Sequence, residues 1–401
     1  MKKYFLHLAI IFIFLCQGCE TVKQPIIFNL QQIHESNYKG IIVQQEKIIG
    51  KSNISIYTAE IPKNQFSIEL IKPNNAIDSS YRVSELAKKE NAILAINGGF
   101  FSIYEKTKGI QLPSYNLNTC YPHLYDPYNA LPARNLKINT KWFATYPNEN
   151  GVVAWSKSMD KFIIDRIKNE NYISFNGNNI AFTNLNKYPF NSNISVFTDV
   201  WQKSIPIYKS GVLIFSVNGK VTRIEKISNK GKFLNVPNGG FIVFFTDTIK
   251  IPSIKQGDMI KLTINTISST GSEKDLEKAD YILSGNPILI QNRVVTEEYP
   301  QTPFYINAYA RTAICQLKNK NIMFLVANGS DEVMGRQIGL STKELSMLML
   351  QKNCINAINL DGGHSSIFYF NNNVINRNFP KDENDCFKLH ERSVSDMIIV
   401  K

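Results

Sequence analysis

The stretch Ile358-Asn359-Leu360-Asp361-Gly362-Gly363-His364-Ser365-Ser366 runs from an apolar strand straight into an acid, two glycines, a histidine and two serines. An earlier segment, Ala92-Ile93-Leu94-Ala95-Ile96-Asn97-Gly98-Gly99, has the same construction. Each follows a helix signal. The first covers Ser84 to Glu90; the second begins at Ser341, with Glu344 at capping-box spacing and apolar Leu345, Leu348 and Met349 behind it. Helix, buried strand, Asn or Asp, then Gly-Gly therefore occurs twice. Glycine lets a ligand approach the backbone closely. The pair predicts two strand ends that share one site, the alternative being a coincidence of turn chemistry.

Outward from these two units the chain reads mainly as short strands. Ile54–Ile61, Phe66–Ile71, Gly211–Val217, Gly240–Thr246 and Met259–Thr266 carry β-branched or aromatic alternation between turn signals. Asn-Gly at 176–177 and 218–219 marks hairpin turns. Tyr104 to Asn150 is rich in Pro, Tyr and Asn without periodicity, and reads as a loop-rich insertion. The expected fold is α+β: mixed β-sheets with few helices, as a single domain over 51–401 preceded by a tether and N-terminal segment at 20–50.

With 43% hydrophobic and 19% charged residues among 401, the composition is that of a globular chain able to bury a core. The formal charge of +12 comes from scattered lysines. No basic stripe or recognisable module points to nucleic acid. Met1-Lys2-Lys3, an apolar run from Tyr4 to Leu15 and Gly18-Cys19 read as a signal peptide over residues 1–19. Gly18-Cys19 matches the end of a lipobox, which makes Cys19 a lipidation site and the protein an exported, periplasmic or cell-surface lipoprotein. Cys120, Cys315, Cys354 and Cys386 match no zinc spacing; disulfides and buried free thiols both fit them.

Seven stretches resemble, in order, the motifs of the phosphodiester glycosidase family, which includes the uncovering enzyme that removes GlcNAc from a mannose-phosphate diester. They are AINGGFF (95–101), VPNGGFIVFF (236–245), IKQGDMIKL (254–262), LSGNPILIQN (283–292), ARTAI (310–314), INLDGGHSSIFYF (358–370) and HERSVSDMIIV (390–400). The resemblance extends from about Ser84 to the end. Three positions depart from it. His364 stands for the third glycine of an Asp-Gly-Gly-Gly-Ser signature, Cys315 for the glycine after Arg-Thr-Ala-Ile, and Ser330 where many relatives carry Arg or Gln.

The resemblance implies hydrolysis of a glycosyl phosphodiester or a related sugar linkage. That chemistry needs a carboxylate, phosphate-holding groups and polar groups that read hydroxyls. Asp361 is the candidate carboxylate, against the alternative of an Asp that caps its own turn. Arg311 offers a planar fork for phosphate, or a structural ion pair with Asp361. Glu105 is the preferred second carboxylate, with Asp331 the other choice. Asn97, Gly98, Gly99, Thr312, Gly362, Gly363, His364, Ser365 and Ser366 are the candidate substrate contacts. A divalent cation at Asp361 is chemically allowed, because the ligands would be hard oxygens, though no ligand spacing argues for one and no cofactor is assigned. Gly-x-Ser-x-Gly, a P-loop and H-E-x-x-H are absent. The rival expectation is a non-catalytic envelope lipoprotein that binds a glycan or anionic polymer in the same pocket.

Overall fold

A computed structural model describes residues 26–51, 54–63, 65–105, 128–188, 192–202, 204–228, 231–247, 251, 253–296, 299–329, 338–377 and 391–401. Residues 1–19, read above as a signal peptide ending in Cys19, together with Cys120, Cys386, Ser330, Asp331 and the side chain of Glu105, lie outside what is described.

Eight antiparallel strands form the largest sheet, in the order Leu30–Tyr38, Ile41–Ile48, Ser55–Ile61, Ile322–Ala327, Arg311–Leu317, Cys354–Asn359, Ile288–Gln291 and Val294–Val295. On one face lies the helix Thr342–Gln351, begun by a capping box: Ser341 Oγ accepts from the Glu344 amide at 3.2 Å, and the Glu344 carboxylate accepts from the Ser341 amide at 2.9 Å. Its Leu345, Leu348 and Met349 pack with Leu289, Ala313, Leu325 and Ala357 of the sheet. The disulfide Cys315–Cys354, with Cα atoms 5.8 Å apart, ties two neighbouring strands within that cluster.

A five-stranded sheet, ordered Asn373–Val374, Phe368–Phe370, Leu94–Asn97, Met397–Val400 and Ile68–Ile71, packs on the opposite face. Leu94–Asn97 is buried on both sides, which its unbroken apolar run requires. Leu94, Ile96, Ile398 and Val400 face Ala59, Ile314, Phe324 and Ile358 of the large sheet. Ala95, Tyr369 and Ile399, one residue out of phase, face Leu86 and Ala87 of the helix Val83–Lys89.

Two further sheets, of seven strands around Phe162–Phe175 and five around Gly240–Thr246, continue the same core through Val153, Trp155, Phe197, Leu213 and Phe244. The architecture is α+β, with four short α-helices among the described residues. Both Asn-Gly pairs make hairpin turns with positive φ, 47° and 76° at 176–177 and 50° and 72° at 218–219.

Two segments differ from the sequence reading. Residues 128–150, read as part of a loop-rich insertion, contribute the strands Tyr128–Pro132, Leu136–Ile138 and Lys141–Ala144. Residues 30–48, placed before the domain, form a hairpin on the edge of the largest sheet. Both consist of short or edge strands with nonlocal pairing, and in Leu136–Ile138 even Lys137 is buried, so alternation is weak there.

Candidate active site

The two Gly-Gly turns meet. Leu94–Asn97 ends in one sheet and Cys354–Asn359 in the other, and their ends are joined by hydrogen bonds. Asn97 is fully buried. Its Nδ2 donates to the main-chain oxygen of Asp361 at 2.8 Å, while the Asp361 amide donates to Gly98 O at 3.2 Å. Asn97 Oδ1 accepts from Thr312 Oγ1 at 2.8 Å and from the Ile367 amide at 3.3 Å. Thr312 Oγ1 also lies 3.2 Å from Ser366 Oγ. Asn97, Thr312, Asp361 and Ser366 thus form one network, in which the Asn97 carboxamide holds the strand ends together.

The Asp361 side chain sits just above this junction. Its Oδ1 accepts from the Gly362 amide at 2.9 Å. Gly363 takes φ +60° to start the turn Gly363–Ser365. Burial pushes the Asp361 carboxyl up to about 6. Arg392, the Ser365 hydroxyl and the Gly362 amide pull it down in part, and the nearby Asp396 pushes it further up. A carboxyl poised there changes charge close to neutrality.

Asp396 was not among the residues singled out by sequence. It is buried, and its Oδ1 accepts from the Gly99 amide at 2.8 Å, while its main-chain oxygen accepts from the Gly98 amide at 2.9 Å. The fully buried Lys72 lies beside it and donates to Ser395 O at 2.9 Å and Ser79 O at 2.9 Å. Burial lowers the Lys72 ammonium to about 8, against the opposing pull of Asp396 and Asp78. Arg392 was missed as well. Its Nη1 lies 3.4 Å from Ser365 Oγ and its guanidinium covers the Phe101 ring at 5.1 Å. Arg377 Nη2 donates to Gly363 O at 2.7 Å. The only local hint was the Arg and Asp four residues apart in ERSVSD, immediately before the apolar strand Met397–Val400.

Arg311 takes another direction. It is fully buried and donates from Nε to Leu340 O at 2.8 Å and from Nη2 to Phe304 O and Asn307 O at 2.5 and 2.9 Å. Phe304 and Tyr309 flank its guanidinium at 4.8 and 5.6 Å. Successive strand residues point to opposite faces, so Thr312 enters the Asn97 network while Arg311 packs on the helix side. The cation beside Asp361 is Arg392.

His364 and Asp361 are part-exposed on the turn, whereas Gly98, Gly99, Gly362, Gly363, Ser365 and Ser366 are buried. Glu105 ends the strand Phe101–Glu105. Among the described residues no group of three or more His, Cys, Asp or Glu side chains could hold a metal ion.

Residues 211–401 match the family model of the phosphodiester glycosidases. An uncharacterised protein of Rickettsia conorii is 24% identical over 254 residues, which is 60% of this chain and 77% of that protein. The crystal structure of a hypothetical protein from Synechocystis has a TM-score of 0.70 at 20% identity, covering 93% of this chain. This chain spans 63% of that protein's length. A candidate exported protein from Burkholderia pseudomallei has a TM-score of 0.64 at 15% identity, over 86% of this chain and 74% of that one. At these identities the two crystal structures share the fold with this chain.

Proposed function

We propose that this chain, whose residues 211–401 match the phosphodiester glycosidase family model, is an exported hydrolase that splits a glycosyl phosphodiester of an envelope or extracellular glycan. The observation that carries this reading is the Asp361 carboxyl, pushed up to about 6 at a junction of two glycine turns.

A phosphate leaves the anomeric carbon as a stable anion and needs little protonation, since its second pKa is about 6. The remaining demand is for a base that activates water, and a carboxylate near its own pKa suits that task. Arg392 biases Asp361 toward the ionised form that accepts the proton. The glycines on both sides leave uncovered backbone for the sugar to approach. Asp396, held by the Gly99 amide and Lys72, acts on Asp361 through its charge. Arg311 ties the Phe304–Asn307 segment to Leu340 on the other side of the strand.

Export is supported by the signal-like N-terminus and by the Cys315–Cys354 disulfide, which belongs to oxidising compartments. Cys19 is the proposed lipid anchor, and Cys19→Ser would then release the protein from membranes.

The purified chain is expected to release free sugar from a glycosyl-1-phosphodiester, with Asp361→Asn slower by about 10²-fold or more. Equal rates for the two proteins would remove Asp361 from the chemistry. Glycan binding without turnover, unchanged in Asp361→Asn, would instead favour a binding protein.

A further inference from the structure

Beside the glycine turns lie two cations with no carboxylate partner among the described residues. Arg134 follows the strand Tyr128–Pro132, and Lys187 follows Asn184–Leu185. Both address one ring: the Arg134 guanidinium is 5.3 Å and the Lys187 ammonium 5.8 Å from the centre of Tyr146. Arg134 also lies 5.9 Å from the Phe100 ring. Among the described residues no carboxylate pairs with either cation.

The cations are held there by main-chain and amide bonds. Lys187 Nζ donates to Ala133 O at 2.9 Å, and the Ala133 amide donates to Phe100 O at 2.9 Å. The buried Asn135 accepts from the Tyr146 amide at 2.6 Å and donates to Asn150 Oδ1 at 3.0 Å, which fixes the Tyr146 loop against Arg134. Burial and the neighbouring Arg134 together lower the Lys187 ammonium to about 8. Two like charges that act on each other beside one ring in a half-buried place are costly unless an anion joins them. Aromatic rings link this cluster to the Asp361 turn. Phe100 is the residue after Gly99, it meets Phe304 edge-on at 5.8 Å, and Phe304 borders Gly362.

We propose that Arg134 and Lys187, against the Tyr146 and Phe100 rings, form an oxyanion-binding subsite that takes a phosphate group. The guanidinium offers a planar fork to two oxygens and the ammonium a point charge to a third. That this phosphate belongs to the substrate rests on the proposed function; the anion site does not. Two positive charges are balanced by a monoester dianion and only half used by a diester monoanion. The subsite therefore holds the phosphomonoester product more tightly than the diester, which makes a phosphomonoester a competitive inhibitor.

The test is calorimetric titration of the full chain with methyl phosphate and with dimethyl phosphate. The wild type is expected to bind methyl phosphate, and dimethyl phosphate at least several-fold more weakly. Arg134→Gln/Lys187→Gln should weaken methyl phosphate by tenfold or more, with Arg134→Lys, which keeps the charge and loses the fork, falling between the wild type and the double variant. If the double variant misfolds by circular dichroism, Lys187→Met alone should still lose several-fold. No binding by the wild type, or equal binding by the folded variants, overturns the site. Residue-dependent binding in a protein that never turns over a glycosyl phosphodiester leaves the anion site standing and removes the hydrolase.

Discussion

Asn97 and Asp361 stand 264 residues apart, and the Asn97 carboxamide donates to the Asp361 carbonyl at 2.8 Å. The bond joins two different sheets, and the Asp361 amide returns one to Gly98 O at 3.2 Å. Asn97 is thus a positioning residue. Its amide faces the other strand end and Thr312, and is fully engaged in doing so.

Asn97→Ala would take this partner from the Asp361 carbonyl and the Ile367 amide, and leave the Thr312 hydroxyl with Ser366 Oγ alone. Unsatisfied buried groups cost about 1–3 kcal/mol each, and relaxation recovers part of that. A loss of about 3 kcal/mol in urea unfolding is expected, with kcat falling more than KM changes. A variant as stable as the wild type would mean that the strand ends are held by packing alone.

Asp361→Asn should stabilise the protein while abolishing its activity. The carboxyl has a folded-state value of about 6 against 3.8 in an ordinary environment. Below about pH 4 both states carry the proton and the group has no effect. Between about 4 and 6 the unfolded chain releases it first, so folded stability falls as pH rises, and above 6 the loss is complete. At about 1.4 kcal/mol per pKa unit the penalty approaches about 3 kcal/mol. The groups that face this carboxyl are Arg392, Ser365, the Gly362 amide and Asp396, with His364 on the same turn. Urea midpoints of the two proteins should coincide at pH 3.5 and separate in favour of Asp361→Asn at pH 8. A variant less stable than the wild type at pH 8 would show that Arg392 and the turn amides outweigh burial.

Much of this junction was legible because strand-end Asn and Asp followed by Gly-Gly have few other uses. The unbroken apolar run of Leu94–Ile96 also marks a strand covered on both faces, as its complete burial shows. What escaped depends on distant partners. Asp396 precedes an apolar strand with no glycine beside it, and its meaning comes from Gly99 and Lys72, far away in sequence. Arg311 reads as a fork for phosphate or an ion-pair partner of Asp361, but its direction follows from the face on which Thr312 is committed. The hairpin at 30–48 pairs on a sheet edge, where one exposed strand leaves little alternation to read. Cys315, a departure from the family's glycine, acquires its reason only with Cys354 beside it.

Gly98→Ala should disable the site with the sheets intact. A Cβ on Gly98 would lie 2.1 Å from Asp396 Oδ1 and 2.8 Å from Asp396 O. Neither the buried carboxylate nor its backbone has room to retreat without losing the Gly99 amide or the strand pairing of Met397 with Asn97. Overpacking of this kind costs about 1–3 kcal/mol. Activity should fall by at least tenfold while far-ultraviolet circular dichroism is unchanged. Gly219→Ala is the control, because its Cβ meets nothing closer than 3.5 Å and its φ of +72° costs only turn strain. Equal activity of Gly98→Ala and wild type would separate Asp396 from the chemistry.

The Cys315–Cys354 disulfide should contribute stability without touching turnover. It closes a segment of 39 residues, for which loop-closure entropy in the unfolded chain gives about 4 kcal/mol at room temperature. The linked strands are already paired, Cys315 opposite Ala357 and Leu317 opposite Cys354, so the native arrangement does not depend on the bond. Both sulfurs are buried under the helix Thr342–Gln351, on the side of the sheet away from the Asn97 network. Cys315→Ala/Cys354→Ala is therefore expected to lower unfolding stability by about 2–4 kcal/mol with kcat within twofold of the wild type. Measuring both on the same preparation gives the answer: a large fall in kcat with little loss of stability would transfer the disulfide from the scaffold to the site.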